Sequence, residues 1–467
     1  MSPLSELPFG LTIDLSFWDT ILNLPTLDLV IVVFAIIGWV ALALVFFFIG
    51  AHLWLDLRQD LNTHHWQWVV LAVDVPTDTV QSPKAVEQIF AHLSGALDEP
   101  NFGQKYWGGA KQRWFSLEII SLEGYIQFLI YTEVTHRDLV EAAIYAQYPM
   151  AEITEVEDYV GMIPSTYPNE THNMFGIEFA LAAADPYPIR TYSEFEHSVT
   201  TDFNFNDPMA SILENFTRIG PGENLWFQII IEPVGSHWKE KGIELVKEII
   251  EHKKGHHEQF FFFKLLNMFF DGILNAIRPP AEGHDEHKEE PPGKISDLSP
   301  GVKDTIAAIE EKISKVGFKT KARVLYAANK EVFNPSRCLD GFVGSLNQFN
   351  YSGRNALVPA AATTAHYAFK NSRTADLKKM FVKAYKKRKL KIGKNPYILN
   401  TQELATLWHF PLPLVKTPLL QKTGGKRAEP PINLPIEVFA ESPLKKKVAT
   451  PPPKEEEPPE PPELMWG

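Results

Sequence analysis

Three glycine-lysine pairs come nearest to a nucleotide-binding pattern: Gly293-Lys294, Gly393-Lys394 and Gly425-Lys426. A phosphate-cradling loop has the pattern GxxxxGK[ST], in which backbone N–H groups hold the phosphates and the final hydroxyl binds Mg²⁺. All three pairs lack the upstream glycine, and each lysine is followed by isoleucine, asparagine or arginine instead of a hydroxyl residue. The sequence therefore predicts no triphosphate-binding site.

Neither a GxSxG nucleophile elbow nor an HExxH zinc helix occurs in the sequence. Five histidines cluster in a charged, proline-containing stretch whose composition predicts mobility and not a rigid ligand set: His252, His256, His257, His284 and His287. The single cysteine, Cys338, cannot form an intramolecular disulfide and is interpreted as a small buried residue on a helix. We predict no catalytic, cofactor-binding or metal-binding residues, and a chain that is not an enzyme.

The segment Asp376–Lys394 carries nine basic residues and predicts an amphipathic helix with an apolar stripe. Such a helix suits anionic lipid or nucleic-acid phosphate, whereas the plain alternative is a helix whose lysines only face water. Lipid ranks above DNA because the chain has a net charge of −12 and carries a membrane segment. The predicted contact residues are Lys378, Lys379, Lys383, Lys386, Lys387 and Arg388.

That membrane segment lies near the N-terminus. Leu29–Gly50 contains no charged residue and is long enough to cross a bilayer, so we predict a transmembrane helix over residues 29–51. A signal peptide would have a lysine or arginine before its apolar run, and none precedes this one. Residues 1–28 hold four acidic residues, and Arg58 follows the span. The positive-inside rule then predicts an extracytoplasmic segment 1–28 and a cytoplasmic remainder on the inner membrane.

The cytoplasmic part has an α+β pattern. Residues 60–160 show the order β-α-β-β-α-β, which predicts a ferredoxin-like unit, with Glu123-Gly124 as the hairpin turn. Residues 172–372 repeat the order, with a helical insertion at 235–316 and a closing strand expected at His366–Phe369. The fold predicted is a single transmembrane helix followed by two ferredoxin-like units.

Phe260–Ile277, within the insertion, is apolar except for four polar residues on one helical face. It predicts either a helix in the membrane surface or in a partner's groove, or one packed on the protein's own sheet. In the first case the membrane-surface residues are Phe260, Phe261, Phe263, Leu266 and Phe270.

Residues 373–436 combine the basic helix with a short capped helix at Asn400–Pro413, in which Glu403 stands three residues after the N-cap. Leu404, Leu407 and Trp408 share one face of this helix and are predicted to dock a partner. Residues 437–467 are rich in proline and charge and predict a disordered tail.

Several stretches resemble the membrane-anchored N-terminal region of type IV secretion or conjugation-type ATPases of small-genome uncultured bacteria. The resemblance covers roughly residues 28–436 and rests on 115–159, "GFKTKARVLYAANKEVFNPSR" at 317–337, "GSLNQFN" at 344–350 and "YILNTQELATLWHFP" at 397–411. In the fused relatives a hexameric motor follows, and "EPPINLP" at 429–435 is similar to its lead-in. No motor follows here, so the resemblance implies a separate ATPase polypeptide.

We therefore expect a non-enzymatic, membrane-anchored accessory component that docks a separate P-loop ATPase at the inner membrane face. The expected partners are membrane lipid and a secretion or conjugation ATPase, with DNA as a further ligand and oligomerisation left open. The alternatives are a nucleic-acid-guiding membrane protein and a membrane scaffold or sensor without a motor.

Overall fold

The computed structural model describes residues 4–7, 11–14, 25–76, 79, 81–197, 204–205, 207–251, 298–365 and 369–412. The chain divides into two compact units. Residues 1–66 and 98–111 form the N-terminal unit, and residues 67–97 and 112–467 form the sheet unit.

The described strands are β1 (Leu4–Leu7), β2 (Leu11–Asp14), β3 (Trp68–Asp74), β4 (Phe115–Leu122), β5 (Tyr125–Glu133), β6 (Glu152–Val156), β7 (His172–Leu181), β8 (Glu196–His197), β9 (Asn204–Phe205), β10 (Glu223–Pro233), β11 (Gly317–Asn329), β12 (Leu357–Ala362) and β13 (Tyr397–Asn400). The described α-helices are α1 (Thr26–Thr63), α2 (Pro83–Leu93), α3 (Phe102–Tyr106), α4 (Arg137–Gln147), α5 (Pro208–Thr217), α6 (Trp238–Ile250), α7 (Pro300–Ser314), α8 (Ser336–Leu346), α9 (Lys370–Lys386) and α10 (Thr401–Leu407).

Helix α1 dominates the N-terminal unit and contains the whole predicted span. Its described stretch Gly38–Thr63 is long and apolar enough to cross a membrane, and its most apolar window buries nothing inside the protein. An apolar window that the protein leaves uncovered favours an apolar environment, such as the interior of a bilayer. Helix α3 packs against α1 within the same unit.

The sheet unit is α+β, with an antiparallel sheet of nine strands in the described residues. Their order is β12-β7-β11-β10-β4-β5-β3-β6, and β13 pairs with the start of β11. Residues 67–156 supply β6-β3-β5-β4, with α2 and α4 as the crossovers. The predicted hairpin turn is confirmed, because Glu123 and Gly124 have φ of 55° and 95°, as a tight two-residue turn requires.

Residues 172–362 supply the other half, β12-β7-β11-β10, with α5 and α8 as crossovers. Strands β4 and β10 join the halves through an antiparallel ladder from Asn224↔Leu122 to Ile231↔Phe115. Residues 366–368 of the closing strand expected at His366–Phe369 lie outside the described residues. Among the described residues, β12 pairs along β7 as the closing strand, and Phe369 precedes α9 with a left-handed φ of 61°.

One face of the sheet carries the main core, which spans both halves. Helices α2, α4, α5, α8 and α10 bury apolar side chains there, among them Val86, Ile144, Phe216, Phe342 and Trp408. The opposite face carries a second cluster, in which Trp226 and Tyr159 meet Tyr385 of α9. The sheet is therefore covered on both sides, which accounts for strands that are buried almost throughout.

The predicted insertion is described only at its two ends, α6 and α7. These helices share a small apolar cluster that includes Val246, Ile306 and Ile309. The predicted membrane-surface residues lie outside the described residues: Phe260, Phe261, Phe263, Leu266 and Phe270. The five clustered histidines and the tail 437–467 lie outside them as well.

Candidate interaction surface

The basic segment forms α9, which lies on the second face of the sheet. Phe381, Val382 and Tyr385 are buried against the strands. Gly176 of β7 permits this close approach, because a Cβ built there would stand 2.3 Å from the ring of Phe381. A helix with a buried apolar side is confirmed within the predicted segment Asp376–Lys394, although the helix ends at Lys386 and residues 388–394 form a loop. The protein's own sheet covers that apolar side.

Arg388, at the end of α9, belongs to the core and not to the surface. Its side chain is 1% exposed and donates to Glu118 (2.9 and 3.1 Å) and to Asp158 (2.7 and 3.0 Å). The guanidinium also lies over the ring of Tyr131, 3.8 Å from its centroid. The prediction that Arg388 contacts lipid or nucleic acid is therefore corrected: it neutralises a carboxylate that strand β4 buries.

A second buried cluster fixes the loop that follows α9. Glu178 of β7 is paired with Arg323 (3.2 Å) and Lys321 (3.4 Å), both on β11. Arg323 Nη2 donates to the carbonyls of Lys389 and Ile392, and Lys321 Nζ donates to the carbonyl of Ile392 at 2.9 Å. The loop thus turns its carbonyls towards the sheet, while the side chain of Lys389 is exposed.

Burial changes the acid-base behaviour of the inward lysines. Desolvation lowers the pKa of Lys321 to about 8, against the opposing effect of Glu178. Two lysines of α9 that were predicted as phosphate contacts are half-buried, and burial lowers the pKa of each. Lys378 donates to Asn173 Oδ1 at 2.6 Å, and Lys386 donates to the carbonyl of Ile163 at 2.6 Å. These two therefore help to attach α9.

The remaining three predicted contacts form one exposed stripe. Lys379, Lys383 and Lys387 recur every four residues, which places them on one side of the helix, and each is exposed. Lys370, Lys389 and Lys394 are further exposed basic residues of this segment, and Met380 and Phe369 are exposed apolar residues, 46% and 80% accessible. Asp376 is the exposed acidic residue on α9. We call Lys379, Lys383 and Lys387 the lysine ridge.

The predicted partner-docking face is wrong. Leu404, Leu407 and Trp408 have no exposed surface, and Trp408 packs among Phe90, Phe128 and Phe410 of the main core. The predicted start of this helix is confirmed, because Asn400 and Glu403 form the predicted capping box. Every residue of α10 is buried, so the helix is part of the main core and has no exposed face for a partner.

The chain beyond α10 is tied to the second half of the sheet unit. His409 lies with Nδ1 2.7 Å from the carbonyl of Ala405 and Nε2 2.9 Å from Asp207. Asp207 also accepts from the backbone N–H of Leu412 and caps α5 through the N–H of Met209. Burial raises the pKa of Asp207, but the charge and hydrogen bond of His409 and these N–H groups together lower it below its usual value.

The described residues contain no group of three or more His, Cys, Asp or Glu side chains placed to hold a metal ion. Cys338 is fully buried on α8, as predicted, and burial raises the pKa of its thiol to about 11. A thiol of that kind is a poor nucleophile at neutral pH.

Sequence reasoning missed the buried ion pairs, although a signal for them exists. Glu118 and Glu178 are each the single Asp, Glu, Lys or Arg residue of a mostly apolar strand, and Arg323 lies on β11 beside Lys319 and Lys321. A charge in such a position needs a partner, because an unpaired buried charge is strongly unfavourable. Reading the strand charges together with the basic segment would have paired Glu118 with a cation.

A search of curated proteins finds no match to the chain. The family model described as "Domain of unknown function (DUF8128)" matches residues 104–423, from within α3 to beyond the end of α10. That match includes most of the sheet unit, together with α9 and its lysine ridge. Because it covers more than half of the sequence, this chain belongs to the DUF8128 family.

Proposed function

We propose that this protein is a non-enzymatic accessory component that α1 anchors in the inner membrane, N-terminus outside, and whose lysine ridge contacts anionic lipid headgroups. The observation that carries the proposal is the rigid display of the ridge. Arg388 and Tyr385 fix one side of α9 to the sheet, so Lys379, Lys383 and Lys387 project from a backbone that is already ordered.

Rigidity matters because it lowers the entropy lost when a surface binds. Each basic residue near an anionic membrane surface contributes about 1 kcal/mol, and the contribution falls with added salt. Three lysines in one stripe therefore give a substantial attraction at low salt. Exposed Met380, the chain neighbour of Lys379, adds apolar surface beside the charges, as helices at membrane surfaces commonly do.

For the fold, we propose two fused ferredoxin-like units. Each half has the βαββαβ order with its strands arranged 4-1-3-2, and the second strands of the two halves, β4 and β10, are neighbours. The insertion at residues 235–316 falls between the second and third strands of the second unit.

The lipid contact can be tested with the full chain in nanodiscs. Amine acylation followed by mass spectrometry should show Lys379, Lys383 and Lys387 protected in discs that contain phosphatidylglycerol, compared with phosphatidylcholine alone. High salt should remove the protection. Exposed Lys84 and Lys330 should react equally in both discs. Equal reactivity of the ridge in both discs would contradict the lipid contact.

Single-stranded DNA is the other ligand that the same charges could bind. Filter binding with the detergent-solubilised full chain distinguishes the two, because DNA binding falls steeply as salt rises. Tight, salt-dependent DNA binding combined with an unprotected ridge in both nanodiscs would favour the nucleic-acid-guiding function over the lipid one.

We further propose that the protein works beside a separate secretion or conjugation ATPase. The support is the resemblance of residues 28–436 to the anchoring region of such motors. Because α10 is buried, the contact with an ATPase has to use other surfaces. Co-purification of the detergent-extracted protein with a P-loop ATPase is the expected result. ATP turnover by the pure chain would contradict the accessory role.

A further inference from the structure

The segment Asn101–Gly109 interrupts the first half of the sheet unit between α2 and β4, yet it belongs to the N-terminal unit. It begins with a capping box between Asn101 and Gln104, runs through the short helix α3 and ends at Gly109. Two of its exposed side chains are aromatic: Phe102 is 73% and Trp107 is 67% accessible. Phe102 and Trp107 therefore form an exposed aromatic surface on this segment.

Hydrogen bonds attach this segment to the end of α1. The indole of Trp54 donates to the carbonyl of Tyr106 at 3.0 Å, and Arg58 Nε donates to the carbonyl of Trp107 at 2.7 Å. Gly109 has a φ of 71°, and a Cβ built there would overlap the carbonyl oxygen of Arg58. The segment therefore lies directly on the helix backbone.

The positions of these contacts along α1 indicate how deep the segment lies relative to a bilayer that α1 crosses. The uncharged run ends at Leu55, because Asp56 is the first Asp, Glu, Lys or Arg residue after Asp28. With a rise of 1.5 Å per residue, Trp54 lies at the end of this run and Arg58 lies ~5 Å beyond Leu55 along the axis. The headgroup layer of a bilayer is roughly 5–8 Å thick on each side. Since Tyr106 meets Trp54 and Trp107 meets Arg58, the segment is level with the boundary between the acyl chains and this layer.

We propose that Asn101–Gly109 is an interfacial clip, in which Phe102 and Trp107 insert at the boundary between headgroups and acyl chains of the bilayer that α1 crosses. Trp54 joins them, with its ring 6.4 Å from that of Trp107. Aromatic side chains favour this layer because it is apolar on one side and wet on the other. The clip sets how deep α1 sits.

Charge distinguishes the clip from the lysine ridge. The basic residues around it are Arg58, Lys105 and Lys111, and acidic Asp56, Asp60, Asp98 and Glu99 outnumber them. Anionic lipid is therefore not what attracts this segment, and aromatic insertion has to supply the binding. Insertion of the clip should consequently be independent of salt and should occur in phosphatidylcholine alone, whereas protection of the ridge should not.

Spin labels on the full chain in phosphatidylcholine nanodiscs test the clip, which rests on the proposed anchoring by α1. Labels at Phe102→Cys and Trp107→Cys should collide with oxygen more, and with an aqueous nickel reagent several-fold less, than a label at Met150→Cys. Met150 is a matched reference on the sheet unit because it is 70% exposed and apolar. Native Cys338 is buried, so labelling should be confined to the introduced cysteine.

A label at Phe46→Cys, within the span, separates the two proposals. If Phe46 is shielded but Phe102 and Trp107 collide with nickel as freely as Met150, the clip is overturned and the anchor stands. If Phe46 is also open to nickel, both proposals fall. Wild-type chain gives an independent readout: a photoreactive lipid with its diazirine near the headgroup should crosslink within residues 101–109, and crosslinks confined to α1 would overturn the clip.

Discussion

Lys312 and Glu403 form an ion pair with no exposed surface on either side chain, Nζ to Oε1 3.1 Å. Lys312 lies on α7 and Glu403 on α10, so the pair joins the end of the insertion to the helix that closes the core. Burial raises the pKa of Glu403, although the charge of Lys312 and the N–H groups of Asn400 and Ile189 oppose the rise. Removing either charge leaves the other without its partner.

Replacing Lys312 by Met should lower the free energy of unfolding by about 3–5 kcal/mol, because Glu403 would remain buried without its cation. Chemical denaturation of the full chain in detergent measures this change. The double variant K312M/E403Q should recover part of the loss, since it removes the unpaired charge and the one glutamine oxygen can still accept the capping hydrogen bond from the Asn400 N–H, although the bond from the Ile189 N–H is lost. A double variant less stable than K312M alone would show that the charges are not coupled.

Acid should weaken the attachment of α5 to the chain beyond α10. The pKa of Asp207 is lower in the folded state than in the unfolded state, so its stabilising contribution is complete above the unfolded pKa. The contribution disappears as the pH falls through the lowered folded value. D207N should therefore be less stable than wild type at pH 7, and the difference should shrink towards pH 3. A difference that does not vary with pH would contradict this assignment.

Arg388 and Lys387 are adjacent basic residues with opposite roles. R388M should lower the free energy of unfolding by about 3–5 kcal/mol, because Glu118 would be left buried without its cation. K387M should change stability little, because its side chain is exposed. Thermal unfolding of both variants provides the comparison. Equal losses would place Lys387 in the fold and remove it from the ridge.

Neutralising the ridge should weaken binding of anionic lipid without unfolding the protein. At about 1 kcal/mol per residue, K379Q/K383Q/K387Q should reduce affinity for phosphatidylglycerol on the order of 100-fold at low salt. Native mass spectrometry of the detergent-solubilised full chain, titrated with lipid, measures the affinity. The control K84Q/K247Q/K330Q removes the same charge from exposed positions elsewhere. Equal effects of the two triple variants would mean that net charge, and not the ridge, attracts lipid.

Local sequence signals mark the start of three helices. Ser82-Pro83 begins α2, Asp207-Pro208 begins α5 and the Asn400–Glu403 box begins α10. In each case the residues that set the boundary lie within a few positions of it, so a single sequence contains the cause.

The surroundings of those elements could not be predicted in the same way. Whether Trp408 faces a partner or the core depends on α2 and β5, some 300 residues earlier in the chain. Arg388 likewise appeared as one more cation in a basic run, because its partner Glu118 is 270 residues away. Of the six predicted ligand contacts, only Lys379, Lys383 and Lys387 remain, because their four-residue spacing places them on one exposed side of the helix.

The ladder between β4 and β10 ties the two halves into one continuous sheet over a shared core. If the chain were divided between β6 and β7, each fragment would present a naked edge strand whose natural complement is the other fragment. Each fragment expressed alone should therefore aggregate through its exposed edge strand, whereas the two fragments expressed together should associate. The sheet of this protein is thus suited to fragment complementation. Residues 157–171, between β6 and β7, are where the chain would be divided for a split reporter.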